Sequence, residues 1–177
     1  MDTDSTELPS VLRARLTQNP LWDFAVAFYG QPDIEAACLT LQDEAGVDVC
    51  ELLWHCWLMW HGLTLTTSTE ALSSIGTWQR EVTVPLRQLR RQLKAQANTN
   101  DRVAKLRETL KQAELQAERE TLARLENLAL QSDLRVLSCE AQGAGKHLAQ
   151  MLQLQKKSHL STLQTLIARL DPPTSPR

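Results

Sequence analysis

Residues 48–62 read DVCELLWHCWLMWHG, and this stretch decides the fold class. Asp48 stands where a helix N-cap is expected and Glu51 follows three residues later, which is the capping-box signature of a helix start. The residues that follow are apolar on nearly every side of a helix until Gly62. A helix of this kind must be buried, so we expect it at the centre of a helical bundle.

Two more helices are predicted before this central segment. Asn19 followed by Pro20 indicates a helix start, with Asn19 as the N-cap and proline at the first helical position. Gly30 is expected to end this helix in the left-handed conformation. A further helix then carries apolar residues at helical spacing and ends at Gly46.

A long helical pattern follows the central segment and is interrupted at Pro85, which lacks a backbone donor and clashes with the preceding turn. The polar residues 95–100 predict a turn or hinge. Residues 101–131 carry an uninterrupted helical pattern, which predicts a rod of about 45 Å. Because such a rod needs a partner helix, we expect residues 143–170, which resume the pattern, to return along it.

The sequence therefore predicts an all-α protein in which a compact helical bundle is followed by a long antiparallel helical hairpin. Residues 1–17 form an acidic lead with room for a short helix, and residues 18–95 form the core of the bundle. Residues 101–170 form the hairpin, packed on the core or extending from it. Residues 171–177 are expected to be a disordered tail.

Composition agrees with this architecture. The chain has 177 residues, of which 42% are hydrophobic. It has only six glycines and seven prolines, which are too few for a β-sandwich or barrel.

The acidic start lacks the basic and apolar regions of a secretory signal, and no apolar stretch has the length of a transmembrane helix. We therefore expect a cytoplasmic protein with reduced, mostly buried cysteines, which are Cys38, Cys50, Cys56 and Cys139.

Charge is divided unevenly along the chain. Residues 1–70 hold eleven acidic and two basic residues, whereas residues 71–177 hold ten acidic and seventeen basic residues. Such halves either attract each other within the molecule or present separate surfaces to a basic and an acidic partner. The overall net charge is −2, and basic residues do not alternate repeatedly with aromatic residues along the chain. Both features argue against a nucleic-acid partner.

The strongest functional signal is a basic stripe on the helix around Pro85, opposite the apolar residues of the same helix. Such a face suits an acidic protein, phosphates or an anionic lipid surface, and the alternative is pairing with the acidic first half of the chain. We predict that the stripe binds a partner. Its residues are Arg80, Arg87, Arg90, Arg91 and Lys94.

The predicted hairpin adds a second means of association. Its two helices carry more leucine than one pair of helices needs, which is typical of coiled-coil-type partner binding or of a homo-oligomer. Peripheral membrane contact through the basic helix at 80–94 would require that helix to be undocked. We therefore favour a non-catalytic interaction or adaptor protein that uses this helix, the hairpin or both.

The tryptophan-rich helix at 49–61 offers an alternative site. Tryptophans at i, i+3 and i+6 can line an apolar pocket with histidine at its rim, as in a small-molecule binder or an enzyme. Burial in the core explains the same residues. The candidate pocket residues are Trp54, His55, Trp57, Trp60 and His61.

No complete motif for catalysis or for a bound group is present. Lys146 follows Gly143-Ala144-Gly145 as in a phosphate-binding loop, but the upstream glycine and the following Ser or Thr are missing. The cysteines and histidines of the central helix lack the i,i+3 or i,i+4 spacing that brings metal ligands together. We predict no catalytic residue, no metal and no cofactor, with a dispersed active site as the alternative.

Several aromatic and basic motifs form a wider pattern. They are Trp22-Asp23-Phe24 with Phe28-Tyr29, Ala37-Cys38-Leu39 with Leu41-Gln42, and Pro85-Leu86-Arg87 with Arg90-Arg91. Over about residues 18–125 the chain resembles a small bacterial protein family of unknown function. The resemblance implies a cytoplasmic bacterial protein and brings no catalytic residues. Cys50 stands where that family has a polar asparagine, which disfavours a thiol-based function.

Overall fold

A computed structural model describes residues 7–66, 69–137 and 143–170, and helices make up most of it, as the sequence predicts. The first elements are α1 (Glu7–Gln18), α2 (Leu21–Tyr29), α3 (Ile34–Ala45), α4 (Val49–Trp60) and β1 (Leu63–Thr66). They are followed by α5 (Thr69–Trp78), a π-helical turn (Gln79–Thr83), α6 (Val84–Gln92), α7 (Lys94–Ala97) and the 31-residue α8 (Asp101–Gln131). The last elements are β2 (Asp133–Val136), α9 (Gly143–Met151) and α10 (Lys157–Ala168).

The chain divides into two compact units. Unit 1 contains Met1–Thr66 and Glu126–Arg177, and unit 2 contains Thr67–Leu125. These bounds differ from the predicted division into 18–95 and 101–170. They differ because the chain after α8 returns to the first unit, where β2 pairs with β1 and α10 packs against α3 and α9.

The central helix of unit 1 is α4, as its all-round apolar sequence predicts. The Asp48 carboxylate accepts a hydrogen bond from the backbone N–H of Glu51 at 2.9 Å, so the predicted N-cap is confirmed. The elements α2, α3 and β1 all pack against α4. Its Trp54 and Trp57 are fully buried, which places two of its three tryptophan side chains in the core.

The start and the end of α2 differ from the prediction. Pro20 and not Asn19 is the N-cap, and it offers no side-chain acceptor to the helix. The carboxylate of Glu126, far away in the sequence, accepts the hydrogen bond from the backbone N–H of Leu21 instead. Gly30 has a φ of −75°, which continues the helical turn, so it does not take the predicted left-handed conformation.

The two short strands are not visible in the sequence periodicity. They pair antiparallel in unit 1, with Leu63 opposite Val136 and Leu65 opposite Leu134. A strand of four residues shows too few alternations to be told from a loop, and its partner lies far along the chain. The inner leucines of this sheet, Leu63, Leu65 and Leu134, are buried.

Unit 2 is an antiparallel helical hairpin. One arm consists of α5, the π-helical turn, α6 and α7, and the other is the part of α8 that belongs to this unit. At one level the indole Nε1–H of Trp78 donates to the carbonyl of Ala117 at 3.2 Å. At another level Arg107 Nε donates to the carbonyl of Arg90, also at 3.2 Å. The opposite order of these residues along the two arms shows that the arms are antiparallel.

The turn at 98–100 closes this hairpin. Asn100 caps α8, because its side-chain oxygen accepts hydrogen bonds from the backbone N–H groups of Arg102 at 3.0 Å and Val103 at 3.3 Å. The hairpin is therefore built from residues on both sides of this turn and not from the predicted 101–170. The residues expected as its second arm fold as β2, α9 and α10, with Gln153 at a φ of 54° between the two helices.

The interruption predicted at Pro85 is confirmed, and it takes the form of the π-helical turn. Pro85 lies in the first turn of α6, where its missing N–H costs least. In an uninterrupted α-helix its ring would clash with the carbonyl of the residue four positions earlier. The wider π-helical turn directly before α6 relieves that clash.

The cysteines that the structure describes, Cys38, Cys50 and Cys56, are buried free thiols, as predicted. Burial raises the pKa of the Cys38 thiol to about 12, so this group is protonated at neutral pH and is a poor nucleophile. Cys139, most of the acidic lead (residues 1–6) and the predicted tail at 171–177 lie outside the described residues.

Candidate interaction surface and cavity

The predicted basic stripe is divided in unit 2, because two of its arginines pair with carboxylates of α8. Arg87 Nε lies 2.8 Å from Oε1 of Glu114, and Arg87 Nη2 lies 2.8 Å from Oε1 of Glu118. Arg90 donates to Glu114 through both Nε and Nη2, the latter at 3.3 Å. We call these four residues the arginine–glutamate cluster.

This cluster is largely shielded from water. The side chain of Glu114 is 8% exposed, that of Arg87 is 18% exposed and that of Arg90 is 21% exposed. Burial alone would raise the pKa of Glu114, but the hydrogen bonds from Arg90 and Arg87 outweigh it and hold this pKa below its usual value. The basic half of the chain therefore neutralises these arginines with its own carboxylates, and not with those of the acidic first half.

The other three predicted binding residues are exposed. Arg80 donates through Nη2 to the hydroxyl of Thr77 at 2.8 Å and lies near the π-helical turn. Arg91 and Lys94 lie close to the turn that closes the hairpin. The five residues thus do not form one continuous face, since two are drawn into the arginine–glutamate cluster.

The closed end of the hairpin is nevertheless strongly basic, and we call residues 91–111 the hairpin tip. Its acidic residues are Asp101 and Glu108. Lys94, Arg102 and Lys105 form no ion pair with any residue that the structure describes. The exposed cations of the tip are Arg91, Lys94, Arg102, Lys105 and Lys111.

Two leucines are exposed beside these cations. Leu89 is 45% exposed and Leu106 is 51% exposed. They lie at the same level of the hairpin, because each directly precedes one partner of the Arg107–Arg90 hydrogen bond. In α6, Arg87 and Arg90 are therefore turned towards α8 and Leu89 is turned towards solvent. Helical spacing alone could not show this, because it separates the two faces without saying which one is covered.

The candidate pocket residues of α4 lie mostly in the core. Trp54 is fully buried, and so is Trp57, whose indole Nε1–H donates to the carbonyl of Asn19 at 2.8 Å. His55 is half-buried, and its Nε2 lies 3.7 Å from a carboxylate oxygen of Glu51 one turn earlier. These contacts are the ones expected of core packing.

His61 is buried in its neutral form. Its ring meets those of Trp57 and Trp60 edge to face, with ring centroids 5.5 Å and 4.8 Å apart. Burial lowers the pKa of His61 from 6.5 to about 4, and this effect exceeds the upward shift from a hydrogen bond with the Asn19 backbone. The imidazole is therefore uncharged at pH 7.

We expect the stability of the fold to decrease on acidification through this range. The unfolded chain binds a proton at His61 near pH 6.5 and the folded chain near pH 4. The contribution of His61 is therefore complete above pH 6.5 and falls as the pH is lowered towards 4, by at most about 1.4 kcal/mol per pH unit. Denaturant unfolding at several pH values should show a smaller pH dependence for His61→Gln. An unchanged pH dependence would mean that another group titrates.

A cavity of about 310 Å³ lies in unit 1 at the end of α4. Of the candidate pocket residues, only Trp60 lines it. The aromatic part of its wall is completed by Phe24 and Phe28 of α2, and Asp23, Gln31 and Arg169 contribute polar groups. The sequence did not reveal these residues as a site, because the packing of α2 against α4 has no local signature.

The described residues show no arrangement typical of a metal centre. Within 7–66, 69–137 and 143–170, no group of three or more His, Cys, Asp or Glu side chains could hold a metal ion. None of the helices in these ranges combines the length and apolar character needed to cross a bilayer.

Comparison with known proteins gives one family. Residues 20–125 match a family described as "Protein of unknown function (DUF2390)". The match covers α2 to α7 and the part of α8 within unit 2, and it agrees with the resemblance expected from the aromatic and basic motifs. No curated protein and no solved structure matches the chain.

Proposed function

We propose that this chain, which belongs to the DUF2390 family, is a non-catalytic interaction protein that binds an acidic protein partner through its hairpin tip. The observation that carries the proposal is the exposure of Leu89 and Leu106 beside the cations of the tip. Exposed apolar side chains surrounded by charge are typical of a surface that is covered on binding.

The charges of the tip favour an acidic protein over other partners. A second copy that met this one tip to tip would bring two basic surfaces together, and like charges placed across an interface cost binding energy. Residues 91–111 contain no Phe, Tyr or Trp, so bases of a single-stranded nucleic acid would find no ring to stack on. An acidic protein surface with an apolar patch satisfies both the lysines and the leucines.

The arginine–glutamate cluster supports this role by holding the hairpin arms together. Glu114 bridges Arg87 and Arg90, so α6 is fixed against α8 directly next to the tip. A binding surface that is ordered before association loses less conformational entropy when the partner arrives. As part of the proposal we place the interaction in the bacterial cytoplasm, which suits the buried free thiols.

Site-specific photocrosslinking in the native host tests the proposal. A photoreactive benzoylphenylalanine replaces Leu89 in one variant and Leu106 in another, and mass spectrometry identifies the crosslinked peptides. We expect both positions to crosslink to the same acidic protein segment, because they lie at one level of the hairpin. With the purified partner, raising the salt concentration should weaken binding.

Charge reversal at the hairpin tip is the second arm of the test, and the same change of charge in unit 1 is its matched control. The variant Lys94→Glu/Arg102→Glu/Lys105→Glu should lose the crosslink and weaken binding to the purified partner at least about tenfold, since charge-assisted contacts become repulsive. The variant Arg13→Glu/Lys146→Glu/Lys157→Glu makes the same change of charge on exposed residues of unit 1 and should bind normally. Crosslinks to a second copy, to nucleic acid or to lipid would contradict the proposal, and so would the absence of any specific adduct.

A further inference from the structure

The cavity at the end of α4 has a wall that is partly aromatic. The rings of Phe24 and Phe28 are stacked with centroids 5.3 Å apart, and those of Phe24 and Trp60 lie 5.6 Å apart with a tilt of 38°. All three side chains line the cavity. The faces of such rings carry negative electrostatic potential and attract cations.

The charged groups in the wall also favour a cation. Arg169 has a counter-ion, because its Nη2 lies 3.4 Å from a carboxylate oxygen of Asp33. Asp23 lines the same cavity and forms no ion pair with any residue that the structure describes. A ligand in the cavity therefore meets, next to a group of aromatic rings, one carboxylate with which no described residue forms an ion pair.

The size and the remaining polar groups limit the ligand further. A volume of about 310 Å³ lies at the lower end of the range for ligand pockets, which suits a small molecule and not a dinucleotide. The side chains of Gln18 and Gln31 also line the wall and can accept hydrogen bonds from an ammonium group. Pro20 and Ala27 provide apolar surface for the rest of the molecule.

We propose that this cavity binds a small organic ammonium ion, with its charge at Asp23 and the ring faces of Phe24 and Trp60 and its apolar group against the rest of the wall. The site belongs to unit 1 and does not depend on the partner proposed for the hairpin tip. It uses Trp60 of the tryptophan-rich helix, but its other determinants come from α2 and from the residues that flank it.

Titration of the full-length protein with three matched probes tests this site. The probes are phenethylammonium, neutral 2-phenylethanol and anionic 3-phenylpropionate, followed by the indole N–H signal of Trp60 in two-dimensional NMR spectra. We expect saturable shifts with phenethylammonium and at least about tenfold weaker binding of the other two, because only the ammonium ion pairs with Asp23. Equal affinities for the three probes, or no saturable shift with the ammonium probe, would overturn the proposal.

Asp23→Asn provides the second arm of the test. It should weaken phenethylammonium binding about tenfold and leave binding of 2-phenylethanol unchanged. Asp133→Asn removes an exposed carboxylate outside the cavity and should change neither affinity. The NMR spectra of both variants report directly whether the fold is retained. Unchanged ammonium binding in folded Asp23→Asn would show that the carboxylate does not define the site.

Discussion

Trp57→Ala is expected to lower the free energy of unfolding by about 3–5 kcal/mol, the range observed when a large buried aromatic residue is truncated. The indole is fully buried in α4, and its N–H donates to the carbonyl of Asn19 at 2.8 Å. The variant loses the packing of the ring, creates a cavity in the core and removes the donor for this carbonyl. Denaturant unfolding of the purified protein, followed by circular dichroism, measures the change.

Two further variants separate the causes of this loss. Trp57→Phe keeps an aromatic ring but removes the donor, and we expect an intermediate cost of about 1–3 kcal/mol. Trp60→Ala removes the same number of atoms from a half-buried position of the same helix and should cost less. If Trp57→Ala were no more destabilising than Trp60→Ala, the assignment of Trp57 to the centre of the core would be wrong.

Glu114→Ala is the second change with a large expected effect, about 3 kcal/mol in the stability of the hairpin. The carboxylate bridges Arg87 and Arg90, and its loss leaves two partly buried guanidinium groups with fewer acceptors. Hydrogen exchange of the amides of α6 and α8 measures the change within unit 2, because these amides report on the opening of the hairpin.

A matched glutamate and the pH dependence distinguish this cluster from an ordinary surface pair. Glu120→Ala breaks the exposed i,i+4 pair with Arg124 on the same helix and should cost no more than about 0.5 kcal/mol. The pKa of Glu114 is held below its usual value in the folded chain, so its contribution is present above the pKa of the unfolded chain. The contribution is lost as the pH falls through the lower folded pKa, and the difference between Glu114→Ala and the unchanged protein should then shrink. Equal effects of the two substitutions, or a difference that persists in acid, would contradict this role of Glu114.

Much of the secondary structure could be predicted because its signals are local. Asp48 caps α4 as its spacing from Glu51 indicates, and the helix is disturbed directly before Pro85. Of the turn predicted at 95–100, residues 98–100 form the turn, whereas residues 95–97 are helical. Each signal acts within one or two helical turns, so its outcome is nearly independent of the rest of the fold.

The candidate sites were predictable only in part, since a helical pattern identifies faces without identifying what covers them. The sequence predicted one basic face, yet Arg87 and Arg90 of that face pair with carboxylates of α8 while Leu89 is exposed. Trp60 was predicted to line a pocket and it lies at the cavity, whereas Asp23 and Phe24 were not predicted, because they reach the cavity from another helix.

The sequence by itself determined that this protein is helical, that α4 begins after Asp48, and that α4 is buried. Only the tertiary structure decided which helices form the hairpin, which carboxylate caps α2, and where the chain after α8 returns. Caps, prolines and apolar periodicity act between residues a few positions apart. By contrast, the pairs that close the hairpin, bind Glu126 to Leu21 or join β1 to β2 are distant in the sequence. Their formation depends on the packing of the whole unit, and no local pattern encodes it.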